Sequence, residues 1–251
     1  HYRRLSAVSK KFVPNLARML SNLGKHLGES ARSADALAVS DEAVSLYRQL
    51  AVGAPAVYSS DLARALTNLG LHLGEAGRRF DALIASTEAA DIYRQLASVA
   101  PDAFTADLAR GLSNLGKHLG ESGRVTDAIS ATEEAVGIFR RLAAVAPDAF
   151  APEFARSLLN LGAHLSHVGL WAEAIPVTEE AVNLSRQLAI VAPEAFNSYL
   201  AWSTGNLGLY LGLTGRAVES IAFSEESVAI FRWMARAEPH AFTSELARRC
   251  V

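Results

Sequence analysis

The sequence predicts an all-α fold, an α-solenoid of stacked antiparallel helix pairs. Three observations carry this. "DLARALTNLGLHLGEAGR" (Asp61–Arg78) and "DLARGLSNLGKHLGESGR" (Asp107–Arg124) agree at 14 of 18 positions. Asn-Leu-Gly begins at Asn22, Asn68, Asn114, Asn160 and Asn206, always 46 residues on. Pro55, Pro101, Pro147, Pro193 and Pro239 keep that step, as do Leu16, Leu62, Leu108, Phe154, Leu200 and Leu246. A strict period of this length means supersecondary units that bury their apolar stripes only by stacking.

The units follow in order. Residues 1–13 read as the tail of a preceding second helix and its turn, because Tyr2–Leu5 repeats Tyr93–Leu96. Five repeats follow over residues 14–55, 56–101, 102–147, 148–193 and 194–239. Residues 240–251 read as the start of a sixth first helix. The whole is one continuous repeat domain, expected to be part of a longer array. Within a repeat, Leu108, Leu112, Leu115 and Leu119 sit at helical spacing and define helix A. Gly77, Gly123, Gly169 and Gly215 are placed to cap it. Ala128, Ile129, Thr132, Ala135, Val136, Phe139 and Leu142 define helix B. An Ala-Pro-(Asp/Glu)-Ala-Phe tract then stops helix B, since proline lacks the donor and disfavours helix in the residue before it.

These residues resemble the tetratricopeptide repeat. Leu115, Gly116, Leu119, Gly123, Ala128 and Ala135 carry its Leu-Gly, Leu, Gly, Ala, Ala pattern, and the resemblance covers nearly the whole chain. The period exceeds that family's usual 34 residues. "LSNLG" is similar to the "LNNLA" of kinesin light chains, which points to the long-repeat subgroup. The resemblance implies a right-handed superhelix with one face of helix A on its concave side.

On helix A, Arg110, Asn114, Lys117 and Glu121 step by four, three and four, and so lie opposite the leucines. Equivalent residues in successive repeats form rows. The asparagine row is Asn22, Asn68, Asn114, Asn160 and Asn206; the arginine row is Arg18, Arg64, Arg110 and Arg156, resuming at Arg248; a glutamate row is Glu29, Glu75 and Glu121. An asparagine side chain has two donors and an acceptor, which suits a peptide main chain, and arginine forks onto carboxylates. The resemblance to kinesin light chains implies that use for the asparagines. Two roles follow from the residues themselves. Either the rows bind an extended, acidic segment of a protein or peptide, or the asparagines bond to neighbouring helices and order the stack while Arg and Glu pair with each other.

The fifth repeat replaces Arg, His and Glu by Trp202, Tyr210 and Leu213, with Leu209 alongside, so one end of the face is expected to be aromatic. Trp233 marks a possible contact on helix B. His26, His72, His118 and His164 form another row, and each ring is expected to pack over the second helix A glycine of a neighbour (Gly28, Gly74, Gly120, Gly212). His164 and His167 stand three apart, with no further ligand to complete a metal site. Trp171 reads as core. Pro176 is expected to kink its helix or delay its start. Asn183-Leu-Ser185 spells a glycosylation sequon within a helix and reads as chance.

No catalytic constellation is present: like groups lie along a line, where catalysis needs unlike groups at one point. Nucleotide, zinc-hydrolase and serine-hydrolase motifs are absent, and no metal or cofactor is expected. A net charge of −2 gives no basic surface for nucleic acid or anionic membrane. One cysteine, Cys250, permits no internal disulfide and fits a cytoplasmic setting. The expected function is a protein-interaction module. The alternative is a self-assembling or regulatory scaffold that acts through its ends, with homo-oligomers as the consequence.

Overall fold

Each helix begins and ends where backbone chemistry dictates. The computed structural model describes residues 10–30 and 32–237. Among these are ten α-helices: α1 (Val13–Glu29), α2 (Ser33–Gly53), α3 (Pro55–Glu75), α4 (Arg79–Val99), α5 (Pro101–Glu121), α6 (Val125–Val145), α7 (Pro147–His167), α8 (Trp171–Val191), α9 (Pro193–Leu213) and α10 (Ala217–Ala237). Odd-numbered helices are the A helices and even-numbered ones the B helices. Two 21-residue helices, a three-residue turn and a one-residue hinge fill the period.

The A-to-B turn rests on a left-handed glycine. Gly77, Gly123, Gly169 and Gly215 have φ of 75°, 82°, 78° and 83°, which a Cβ resists. This lets the next N–H reach back: Arg78 donates to the Leu73 carbonyl at 2.8 Å and Arg124 to Leu119 at 2.9 Å. The B-to-A tract is shorter than its composition suggests. Only Ala54, Ala100, Ala146 or Ala192 lies outside a helix, and the proline is already the first residue of the next one. A first-turn residue has no intrahelical use for its N–H, so proline is tolerated there, while its ring drives the preceding alanine out of helical geometry. Pro176 delays nothing: α8 starts at Trp171 and runs through it to Val191.

The described chain divides into two compact units at Ala131/Thr132, within α6. In the first unit successive helices pack on one another, and the A helices α1, α3 and α5 also touch in sequence. Its core holds Ala17, Val44, Tyr47, Leu66, Leu69 and Ala82, with a second cluster around Leu83, Ala90, Leu115 and Leu119. In the second unit α7 packs on α8, α8 on α9, α9 on α10, and α7 touches α9. Leu158, Leu161, Leu165, Val182, Leu207 and Leu211 are buried there. Glycine sets how closely the helices of a pair approach: a Cβ on Gly70 would lie 2.8 Å from the Ser86 hydroxyl, and one on Gly162 would collide with that of Thr178.

B helices of neighbouring repeats are bridged by long side chains. Arg48 forks onto Glu88 through Nε and Nη2, Arg140 onto Glu180 and Arg186 onto Glu226, each across 40 residues of chain. The segments 1–9 and 238–251, with Pro239, Leu246 and Arg248, lie outside the described residues.

Candidate functional site

The A helices present the predicted rows on the side away from the leucines. In the first unit Arg18 and Asn22 of α1 are exposed, Asn68 of α3 is half-buried, and Arg64 of α3 is exposed. On α5, Arg110 is half-buried and Asn114 falls to 7% exposure. In the second unit Arg156 and Asn160 of α7 and Asn206 of α9 are half-buried. None of the five asparagine side chains makes a hydrogen bond to protein among the described residues. The stack-ordering role foreseen for them therefore finds no bond here.

The arginines have company that the rows did not reveal. Arg64 pairs with Asp61 at 2.5 Å and Arg110 with Asp107 at 3.1 Å, one turn back on the same helix. Arg18 has Asn15 at that place and no carboxylate partner among the described residues. Between α3 and α5 these groups enclose a pocket of about 380 Å³, whose lining includes Arg64, Asn68, Asp107, Arg110, Tyr93 and Phe104. Tyr93 of α4 is buried at its base, with Thr67 in hydrogen-bonding reach of the phenol. Burial, and next the Asp107 carboxylate, push the Tyr93 phenol up, so it stays a neutral donor at ordinary pH. One repeat earlier, burial and then Asp61 do the same to Tyr47. Sequence reasoning missed Tyr93, Asp61, Asp107 and Phe104. The 46-residue step from Tyr47 to Tyr93 and from Asp61 to Asp107 was the available signal.

Lys117 and Glu121 do not join this pocket. Glu121 turns to the flank of α5, where it meets His118 Nδ1 at 3.1 Å and Lys117 at 3.8 Å. Glu29 and Glu75 likewise face His26 at 3.2 Å and His72 at 3.7 Å. The reason is the three-residue spacing, which puts His and Glu on one helix flank. Two of the histidines pack as expected: the nearest atom to a Cβ built on Gly28 is Cε1 of His72, and on Gly74 it is Cε1 of His118, whereas one on Gly212 meets the Ser220 hydroxyl. Burial holds the His118 imidazole below its ordinary range, against an opposing pull from Glu121. His164 is lowered by burial and then by His167.

In the fifth repeat Trp202 is 38% exposed and meets Phe231 edge-on, with ring centroids 5.8 Å apart. Phe196 and Tyr199 lie 6.2 Å apart on the same helix. Leu209 and Leu213 are exposed, whereas Tyr210 is buried and stacks obliquely on Trp171 at 5.9 Å. Trp233 of α10 is 49% exposed. Of the sequon, Asn183 is exposed and Ser185 is buried mid-helix. Among the described residues no group of three His, Cys, Asp or Glu is placed to hold a metal. None of the described helices is long and apolar enough to cross a membrane.

The geometry defines a class: the chain has the helix-pair repeat fold of tetratricopeptide-repeat proteins. Among solved structures it is similar to BtubC (BKLC) from P. vanneervenii, with a TM-score of 0.69 and 19% identity over 93% of this chain and 86% of that one. A putative kinesin light chain of Podosopora anserina with nearly identical TPR-like repeats gives 0.61 and 16%, over 88% and 96%. YrrB, described as a TPR protein with an unusual peptide-binding site, gives 0.55 and 15%, over 91% of each chain. No protein-family model and no curated protein matches the sequence.

Proposed function

We propose that this chain is a protein-interaction module, not an enzyme, whose A-helix face binds an extended peptide segment of a protein partner. One observation carries the reading: asparagine recurs at one position in all five repeats, yet none of these amides bonds to protein among the described residues. No asparagine is among the buried polar groups left without a partner, so these amides face solvent that a peptide can replace. A peptide main chain supplies both a donor and an acceptor to each. The likeness in fold to YrrB, a protein described as having an unusual peptide-binding site, supports the same reading. Arg18, without an acid on its own helix turn, is the place where an acidic residue of the segment docks. In the second unit, exposed Trp202 and Leu213 offer an apolar contact of their own. A cytoplasmic setting fits a single cysteine.

The test is a peptide-display selection on the chain, counter-screened with Asn22→Ala/Asn68→Ala. Asn114 is left in place because it is nearly buried. Both proteins are first matched for helicity. Peptides that bind the chain and lose at least tenfold on the double variant support the proposal. Equal binding, or none, sends attention to self-assembly, measured by light scattering with and without Trp233→Ala.

A further inference from the structure

The pocket between α3 and α5 sits on the proposed peptide face, yet it is not a basic site. Two carboxylates and two guanidiniums line it, so its formal charge is zero. Each arginine is already in contact with the aspartate three residues before it. A peptide carboxylate entering here meets Arg64 or Arg110 only alongside Asp61 or Asp107. A peptide ammonium meets the aspartates only alongside the arginines. Either ion must loosen a pair already made, and gains little net field.

A neutral amide has no such conflict. Its carbonyl takes a donor and its NH₂ gives to an acceptor, and the pocket offers both kinds without breaking a pair. Asn68 presents an unbonded amide. Asp61 is bonded to Arg64 through Oδ1, which leaves its second oxygen as an acceptor. The Phe104 ring and the buried Tyr93 ring give apolar walls to the stem of a side chain. A volume of about 380 Å³ is at the small end of ligand pockets, room for one side chain and the main chain that carries it.

We infer that the α3–α5 pocket is a specificity subsite for a glutamine or asparagine side chain of the bound segment, read by Asn68 between the Asp61–Arg64 and Asp107–Arg110 pairs. This rests on the peptide-binding reading above and adds a preference that the arginine row alone would not give. Acidic residues of the segment then belong at Arg18, one repeat away.

The experiment takes a peptide selected on the chain and replaces each position in turn by Gln, Glu, Lys and Leu. Affinities are measured on the parent chain and on Asp61→Asn/Asp107→Asn, with Asp107→Asn alone as the second variant should the double one lose helicity. At one position Gln binds the parent about tenfold more tightly than Glu, Lys or Leu, a difference of about 1.4 kcal/mol. At that position the variant, its pocket now cationic, prefers Glu. If no position favours Gln, or the variant keeps the parent's order, the subsite is overturned while the peptide face stands. If selection yields no binder at all, the peptide face itself fails and the subsite goes with it.

Discussion

A β-carbon on Gly74 would stand 2.8 Å from Cε1 of His118, and one on Gly28 2.5 Å from Cε1 of His72. Both rings are buried. Gly74→Ala therefore costs about 1–3 kcal/mol in overpacking, against about 1 kcal/mol gained in helix propensity. Gly137, mid-helix in α6 with nothing within 4 Å of its Cβ position, is the control: Gly137→Ala stabilises by up to about 1 kcal/mol. Urea midpoints separate the two, and equal gains at both sites would contradict the ring-over-glycine packing. The same histidine sets a pH dependence. Burial lowers the folded-state pKa of His118, while the unfolded chain titrates near its ordinary value of about 6.5. The unfolded state thus binds the extra proton first. Stability is complete above about pH 6.5 and falls as pH drops from there toward the folded value. The urea midpoint of the parent falls between pH 8 and pH 5, and His118→Leu falls less. At this scale the sequence was legible in part. Helical angle was enough to place histidine beside glycine. It did not show that Glu121 reaches both Lys117 and the His118 imidazole, because a long side chain can lean round the helix.

At the scale of the element, the hairpin depends on one left-handed residue. Gly123 has φ of 82°, so Gly123→Ala costs about 1–2 kcal/mol, and Gly123→Asn costs less because Asn tolerates that basin. Thermal melts of the two variants test the ordering. The ion pairs between B helices carry far less. Arg48 and Glu88 keep 52% and 34% of their side-chain surface in water, so Glu88→Gln changes stability by less than about 1 kcal/mol, and added salt erases the difference. A larger, salt-resistant loss would show that these pairs hold the stack. Helix pairing, helix length and the glycine cap were readable because each is a local rule written repeatedly, the cap four times over. The bridges were not readable. Each joins residues 40 apart, an offset that appears only once two B helices are side by side. The hinge was over-read, because the Ala-Pro tract looks like a loop when only its alanine leaves the helix.

At the scale of the molecule, the period made the fold plain, since no other arrangement buries the same stripe so many times over. The face was legible as rows of like residues. Its electrostatics were not. The arginine row suggests a basic track, and the aspartate one turn earlier cancels two of its members. Nor did the row show that Asn114 is nearly buried while Asn22 is open. What survives is a set of unbonded amides on the A helices of each unit, with a neutral pocket beside Asn68 in the first. The most direct test is the NMR of the asparagine side-chain NH₂ groups while a selected peptide is titrated in. The account predicts that the Asn22 and Asn68 resonances shift with the peptide's own affinity, while backbone amides around Phe80 and Ile84 on the B helix stay still. Shifts confined to the B helices, with the asparagine side chains unmoved, would contradict it.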